Sequence, residues 1–237
     1  MSMPVSVSRR QRLRQELTAE IKRVALAQLA EGGPQSVNLR GIARELGISP
    51  AALYGYFASL DDLYNTLITD GFNALAQHVE DAIASRAERP HHDRLLAALL
   101  AYREWAIEHP ELFRLLYFSP IPGYTAPPDG PSLDAALRVS AAFLRLLVAG
   151  WQDGVGAEVI PGPPVDSHKF VERFGLQISS DQLRTSVSCW GQFHGLVCLE
   201  VGGHITSQWT DPAELYESCM RAMLRRTGLP DASSDIA

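Results

Sequence analysis

Length, composition and charge limit the class of protein. The chain has 237 residues, of which 46% are hydrophobic, and a formal net charge of −6. This length can hold a helical domain with a small additional domain and can bury a sizeable core. No apolar run in the sequence reaches the roughly 18 residues that cross a membrane, and no apolar segment follows the basic N-terminal residues as in a signal peptide. We therefore expect a cytoplasmic protein.

The charge is unevenly distributed along the chain. Residues 1–60 carry eight Arg or Lys and four Glu, a balance of +4, whereas residues 61–237 carry 13 basic and 23 acidic side chains, a balance of −10. A basic N-terminal part on an acidic body is typical of a protein that binds DNA through one end. It argues against a non-specific DNA-packaging protein, which would need a basic body.

The first 14 residues are basic, with Arg9, Arg10, Arg12 and Arg14. We predict a disordered basic arm over residues 1–14. Such an arm can reach the DNA backbone or minor groove, and it can equally be a solvated tail. A first helix is predicted over residues 15–31, because apolar residues recur at helical spacing: Leu17, Ile21, Val24, Ala25 and Leu29.

The stretch from residue 37 to residue 63 has the pattern of two helices joined by a tight turn. Asn38 can cap a helix, and an apolar stripe follows at helical spacing: Leu39, Ile42, Ala43 and Leu46. Gly47 can adopt the left-handed conformation that ends a helix. Ser49 and Pro50 then provide the cap and first residue of a short second helix, predicted over residues 50–57.

The second helix has an unusually small exposed face, which would let it enter the major groove closely. The hydroxyls of Tyr54 and Tyr56 can contact phosphates, and Ser59 and Asp62 predict a capping box for a fourth helix, whose free N–H groups could face a phosphate. The candidate DNA contacts are Asn38, Leu39, Arg40, Ser49, Pro50, Ala51, Ala52, Tyr54, Gly55 and Tyr56. Paired helices also occur in proteins that do not bind DNA, so the pattern alone leaves both interpretations open.

A family resemblance favours DNA binding. The residues Gly32-Gly33, Ile42-Ala43, Leu46-Gly47-Ile48-Ser49, Leu53-Tyr54, Tyr56-Phe57 and Leu63 resemble the N-terminal signature of TetR-family bacterial repressors, over about residues 15–65. The resemblance implies an all-helical homodimer that binds a palindromic operator and releases it when a small molecule binds. It also implies that Arg40 contacts a base or phosphate and that Tyr54 contacts a phosphate.

Two positions depart from the family pattern. Leu60 stands where a lysine is usual, and Gly55 stands where a larger, often polar residue is common. We therefore expect one phosphate contact fewer and less base recognition from the second helix.

The rest of the chain also reads as helices. The fourth helix is predicted over residues 60–86, long enough to leave the DNA-binding domain. Further helices are predicted over residues 93–108, 133–153, 181–201 and 212–226, and a short one begins at residue 110. We predict an all-α fold with a helix-turn-helix domain at 15–62, a ligand-binding and dimerisation domain at 63–228 and a disordered tail at 229–237. The last two helices can form a four-helix bundle with a second copy, or belong to the core, or both.

The helix at residues 181–201 contains a Trp-His-Gly pattern. Trp190 and His194 stand four residues apart, with Gly191 and Gly195 beside them. The segment is similar to the motif that names one group of TetR-family C-terminal domains. His194 can be a hydrogen-bonded core or dimer-seam residue, or a polar group in a ligand pocket. No nearby His, Cys or carboxylate has a spacing suited to a metal, and we predict neither metal nor cofactor.

A ligand pocket is predicted from composition alone. Aromatic side chains that could line an apolar cavity are concentrated in the body, and with the Trp-His-Gly residues they give the candidates Tyr102, Trp105, Phe113, Tyr117, Phe143, Trp151, Trp190 and His194. Core aromatic residues would give the same pattern. If a pocket exists, an apolar or aromatic ligand fits it better than a charged one.

The sequence thus predicts a sequence-specific transcriptional regulator. The leading hypothesis is a repressor released from a palindromic operator by a small apolar or aromatic ligand. An activator, or a regulator without a ligand, remains the alternative. An enzyme is disfavoured, because the sequence contains no nucleophile elbow, phosphate-binding glycine loop or metal cluster.

Overall fold

The computed structural model describes residues 8–118, 121, 123–152, 160–165, 172–205 and 209–229, and every regular element in these ranges is helical. The α-helices, numbered in chain order, are α1 (Arg9–Gly32), α2 (Leu39–Glu45), α3 (Pro50–Tyr54), α4 (Leu60–Ala84), α5 (His91–Glu108), α6 (Pro110–Tyr117), α7 (Pro131–Gln152), α8 (Ser180–Val201) and α9 (Pro212–Arg226). The predicted all-α fold is confirmed. None of the helices in these ranges is both long and apolar enough to cross a membrane.

The chain divides into two compact units. The head unit consists of Met1–Gly71 and Glu111–Leu133, and the body unit of Phe72–Pro110 and Asp134–Ala237. The predicted domains, 15–62 and 63–228, divide the chain differently, because the first half of α4 and the segment from α6 to the start of α7 belong to the head unit.

Close packing explains why α6 belongs to the head unit. A Cβ atom added to Gly71 of α4 would lie 3.1 Å from side-chain atoms of Leu112 and Leu116, a tight contact, so the glycine favours the close approach of α6. Beyond α6, the Tyr124 hydroxyl donates a hydrogen bond to Asn65 Oδ1 at 2.5 Å. Both contacts join segments some 40 to 60 residues apart, which helical periodicity does not reveal.

The start of α1 corrects the predicted disordered arm. The helix begins at Arg9, not at residue 15, because Ser8 and Gln11 form a capping box: Gln11 N donates to Ser8 Oγ at 3.2 Å, and Ser8 N donates to Gln11 Oε1 at 3.0 Å. Residues 9–14 of the predicted arm are therefore helical, whereas residues 1–7 lie outside the described part of the chain.

Smaller differences have local causes. Helix α3 ends at Tyr54, before the predicted residue 57, with Gly55 as its C-cap. Leu229, predicted to begin a disordered tail, is 3% exposed. It packs where Gly150 carries no side chain, since a Cβ added there would lie 2.6 Å from a Leu229 methyl carbon. The rest of that tail lies outside the described residues.

A small apolar core holds the helices of the head unit together. Its buried members come from α1 to α4, the turns between them and α6: Ile21, Val24, Ala25, Leu29, Val37, Leu39, Ile42, Ala43, Leu53, Phe57, Leu63, Tyr64, Leu67 and Leu115. The Tyr64 hydroxyl donates to the carbonyl of Pro34 at 2.5 Å, so the one polar tip in this core has a partner.

The body unit contains a buried ion pair between α5 and α8. Arg103 donates from Nε to Glu200 Oε2 at 2.7 Å and from Nη2 to Oε1 at 2.5 Å. The two side chains are only 14% and 6% exposed. On the neighbouring α9, the Tyr216 hydroxyl donates to the Leu99 carbonyl at 3.1 Å, so α5 is tied by polar contacts to both C-terminal helices.

We expect Arg103→Met to lower the free energy of unfolding by about 3–5 kcal/mol, because it leaves the Glu200 carboxylate buried without a counter-charge. Urea denaturation measures the loss. The double variant Arg103→Met with Glu200→Leu should recover most of it, since an apolar pair can replace a buried ion pair nearly neutrally. An equal loss in both variants would contradict this account.

Candidate nucleic-acid interface

Helix α2 presents two arginines on an exposed face. Asn38 caps the helix as predicted, with its Oδ1 accepting a hydrogen bond from Gly41 N at 2.6 Å. Arg40 and Arg44 are exposed, stand four residues apart and have no ion-pair partner within the described chain. Leu39, a predicted DNA contact, is 7% exposed. Its side chain therefore belongs to the core and not to the exposed face.

The turn and α3 form as their residues predict. Gly47 has a φ of 66°, the left-handed conformation that glycine adopts without strain. Ser49 Oγ accepts a hydrogen bond from Ala52 N at 3.1 Å, and Pro50 is the first helical residue. Turn and cap together set where α3 starts.

Helix α3 has one buried side and one small exposed side. Leu53 and, just past the helix, Phe57 are 0% and 3% exposed and anchor the segment in the head core. The predicted contacts on the other side are exposed, namely Ser49, Pro50, Ala51, Ala52, Tyr54 and Gly55. Tyr54 is 49% exposed. This surface can approach a groove closely and offers one large polar side chain for a phosphate.

Tyr56 is half-buried and has a partner that the sequence did not reveal. The Arg14 guanidinium lies 4.9 Å from the centroid of its ring, and Arg14 Nη2 donates to the Gly55 carbonyl at 3.0 Å. The two segments are 41 residues apart, and no motif spacing links them. Arg14 was predicted to be part of a disordered arm, and instead it packs on the residues that follow α3.

The first turn of α4 is less suited to a phosphate than the sequence suggested. Ser59 Oγ accepts from Asp62 N at 3.1 Å, and the Asp62 carboxylate accepts from Ala58 N at 2.9 Å. Asp61 and Asp62 are both exposed in this turn. Their negative charge offsets the positive end of the helix dipole, and Leu60 supplies no cation in compensation.

Four of the eight candidate ligand residues lie together in the body unit. The Tyr102 ring packs edge-on against Phe143 and Phe193, with centroids 6.0 and 5.2 Å apart. Its hydroxyl hydrogen-bonds to His194 Nδ1 at 2.8 Å, and Trp190 stacks on His194 at 5.5 Å. Sequence reasoning missed Phe193. We call these five residues the aromatic cluster.

The other four candidate ligand residues have different packing partners. Phe113 and Tyr117 belong to the head unit and pack on each other, with centroids 4.9 Å apart. Trp105 stacks on His109 at 4.9 Å, and Trp151 donates from Nε1 to the Thr227 carbonyl at 2.9 Å. These contacts account for each ring as a packed side chain.

A separate cleft of about 400 Å³ lies on the body unit. Its lining combines charged and apolar side chains: Arg86, Arg89, Asp93, Leu96, Ala97, Leu100, Glu217 and Arg221. None of the eight candidate ligand residues is in this lining. In the described ranges, no group of three or more His, Cys, Asp or Glu side chains could hold a metal ion.

Burial lowers the pKa of His194 from its usual value of 6.5. A folded state that favours the neutral imidazole binds fewer protons below about pH 6.5 than the unfolded chain does, so stability falls as the pH drops through that range. We expect a smaller difference in the free energy of unfolding between about pH 7.5 and about pH 5.5 in His194→Gln than in the wild type. Urea denaturation at both pH values measures it, and an unchanged difference would contradict the assignment.

Similarity to known proteins is clear at both ends of the chain. Residues 21–67 match the family model described as "Bacterial regulatory proteins, tetR family", and residues 95–223 match the one described as "Tetracyclin repressor-like, C-terminal domain". The chain is 31% identical over 229 residues to the HTH-type transcriptional regulator Rv1816 of Mycobacterium tuberculosis (strain ATCC 25618 / H37Rv), covering 94% of this chain and 97% of that protein.

Solved structures agree with these matches. The crystal structure of the regulatory protein SCO4313 superposes with a TM-score of 0.75 at 30% identity, covering 92% of this chain and 100% of that one. A tetR-family regulatory protein from Rhodococcus RHA1 shares the fold, with a TM-score of 0.63 at 18% identity and coverage of 90% and 98%. The two family-model matches and the similarity to Rv1816 show that this chain belongs to the TetR family of bacterial DNA-binding transcriptional regulators.

Proposed function

We propose that this regulator is a homodimeric repressor that binds a palindromic operator and is released from it by a small apolar or aromatic ligand. The observation that carries the proposal is the exposed face of α2 and α3, where Arg40 and Tyr54 stand on an otherwise small surface. On the Trp-His-Gly residues Trp190, His194 and Gly195, we also assign the C-terminal domain to the group named for that motif.

An exposed apolar stripe on α8 supports the homodimer. Val187, Gly191, Gly195 and Leu199 recur every four residues on one face, with Trp190 beside them. Val187, Trp190 and Leu199 are 57%, 51% and 43% exposed. We call these five residues the α8 stripe. Contiguous exposed apolar surface of this kind marks protein–protein contact sites.

The glycines of the α8 stripe suit the close approach of a second helix. A Cβ atom added to Gly191 or Gly195 would meet nothing within 4 Å, so the space above both is open. Neighbouring α9 adds the half-buried Leu215, Cys219 and Ala222 at helical spacing. A two-fold axis brings identical stripes together in a self-complementary interface, and two heads then match two half-sites of a palindrome.

The aromatic cluster supports an apolar or aromatic ligand. Tyr102, Phe143 and Phe193 supply buried ring surface, and the pair of Tyr102 and His194 supplies a polar group that could orient a ligand. A ligand there would release the operator only to the extent that it binds the released state more tightly than the DNA-bound state.

We expect the purified protein to protect a palindrome in the region upstream of its own gene, in preference to random DNA. Tyr54→Phe should weaken this binding at least about a hundredfold, because each of the two subunits loses a hydrogen bond to a charged group, which contributes about 1.5–3 kcal/mol. Footprinting locates the site, and a fluorescence anisotropy titration measures the affinity. Tyr117→Phe, outside α2 and α3, is the matched control.

The same titration tests the remaining parts of the proposal. Absence of any preference for the upstream fragment over random DNA would contradict operator binding. Release of the bound fragment by an apolar aromatic compound, and not by a charged one of the same size, would support the ligand. Increased transcription of a reporter on adding the protein, instead of a decrease, would replace repression by activation.

We expect Trp190→Glu to shift the protein from dimer to monomer and to weaken operator binding at least about tenfold, because burying an unpaired carboxylate costs several kcal/mol. Sedimentation equilibrium measures the oligomeric state. Ile107→Glu is the control, since Ile107 is also an exposed apolar residue of the body unit, at 39%, but lies on α5. A Trp190→Glu variant that remains a dimer would exclude the α8 stripe as the interface.

A further inference from the structure

Arg14 makes two contacts just past the C-terminal end of α3. Its Nη2 donates to the Gly55 carbonyl at 3.0 Å, and its guanidinium carbon lies 4.9 Å from the centroid of the Tyr56 ring. Gly55 is the C-cap of α3. A cation at this point satisfies a carbonyl at the helix C-terminus and complements the negative end of the helix dipole.

Helix α3 needs such external contacts. It has only five residues, Pro50–Tyr54, far fewer than a helix requires to be stable by itself. Leu53 and Phe57 anchor it on its buried side, and Ser49 caps its start. At the C-terminal end of α3, the described hydrogen bond from a side chain of another helix is the one donated by Arg14.

The helix that carries Arg14 extends the basic surface. The capping box of Ser8 makes α1 helical from Arg9, so Arg10 stands one helical turn before Arg14 on the same face. Arg10 is exposed and has no hydrogen-bond or ion-pair partner in the described part of the chain. Arg12, in contrast, stands 3.9 Å from Glu16.

The positive charge in the first turn of α1 does not stabilise this helix. The first turn of α1 contains no acidic residue and carries Arg9 and Arg10 at the positive end of the helix dipole, where cations are unfavourable. An anion brought to this end would relieve that repulsion. The same face of α1 carries Arg14, which contacts Gly55 and Tyr56 at the end of α3. A phosphate of the DNA backbone beside α3 is therefore the anion best placed to reach this end of α1.

We propose that Arg14 is a positioning residue that holds α3 and Tyr56 in the orientation needed for DNA, and that Arg10 on the same face of α1 contacts a backbone phosphate. The first turns of α1 then belong to the DNA interface as an ordered helical extension and not as a flexible arm. The inference rests on the proposed operator binding and deepens it, since it adds one orienting and one phosphate-binding residue.

The two roles predict different effects on the salt dependence of binding. The variants Arg14→Met and Arg10→Ala are titrated with the upstream operator fragment and with random DNA at several salt concentrations. Arg10→Ala should reduce the slope of log affinity against log salt by about 1.8, because each of the two subunits loses one phosphate contact worth about 0.9, with equal loss on both DNAs. Arg14→Met should weaken operator binding about tenfold, leave the slope unchanged and lower the preference for operator over random DNA.

A double variant tests whether Arg14 acts through Tyr56. If it does, Arg14→Met combined with Tyr56→Leu loses no more operator affinity than the larger single loss, since neighbouring residues in one contact are not additive. Arg23→Ala is the matched control. Arg23 is an exposed arginine of α1 that pairs with Glu20 at 3.0 Å, and its loss should change neither slope nor preference.

Several outcomes would overturn the inference. A full operator preference in Arg14→Met contradicts the positioning role, and a reduced salt slope in that variant would make Arg14 a direct phosphate contact instead. An unchanged slope in Arg10→Ala removes the phosphate contact from α1. Thermal unfolding checks each variant, and if Arg14→Met fails to fold, Arg14→Lys, which keeps the charge but not the planar two-sided contact, should show the same loss of preference.

Wild-type behaviour separates this inference from the proposed function. If the wild type binds the upstream fragment no better than random DNA, operator recognition itself fails, and with it the role of Arg14. If the wild type prefers the operator and both variants match it, only the inference about α1 fails.

Discussion

The five-residue length of α3 is the constraint on which the DNA-binding surface depends. A helix this short cannot hold its own conformation in water, so its position is imposed from outside. Leu53 and Phe57 insert into the head core, with 0% and 3% of their surface exposed, and Gly47 turns the chain so that Ser49 can cap the start. The apolar core of the head unit therefore sets the orientation of α3 and of its exposed Tyr54.

The charge of this surface differs from one helix to the next. Helix α2 offers free arginines, α3 offers almost no charge, and the first turn of α4 carries the carboxylates of Asp61 and Asp62. A phosphate therefore meets a favourable potential on the α2 side and an unfavourable one at α4. Because α4 has Leu60 where a cation would contact a phosphate, another element has to supply that positive charge. The basic first turns of α1 can do so.

Local features were predictable from the sequence and long-range ones were not. The caps at Asn38 and Ser49 and the left-handed Gly47 depend on neighbours within four residues, and each formed as the residue types indicate. The capping box at Ser8 is equally local, but the run of arginines after it suggested disorder. The contact of Arg14 with Gly55 spans 41 residues, and Phe113 belongs to the head unit whereas the aromatic cluster belongs to the body unit, a division that no periodicity encodes.

Trp190 belongs both to the proposed ligand site and to the proposed dimer interface. Its ring stacks on His194 inside the aromatic cluster, and yet it is 51% exposed on the α8 stripe. In the proposed dimer a second copy covers the outer side of the Trp190 ring. On its inner side, His194 hydrogen-bonds to Tyr102, which packs against Phe193. A ligand that displaces any member of the cluster would then alter the surface on which the two copies meet. Ligand binding and the spacing of the two heads would be coupled through one side chain, without a separate relay of contacts.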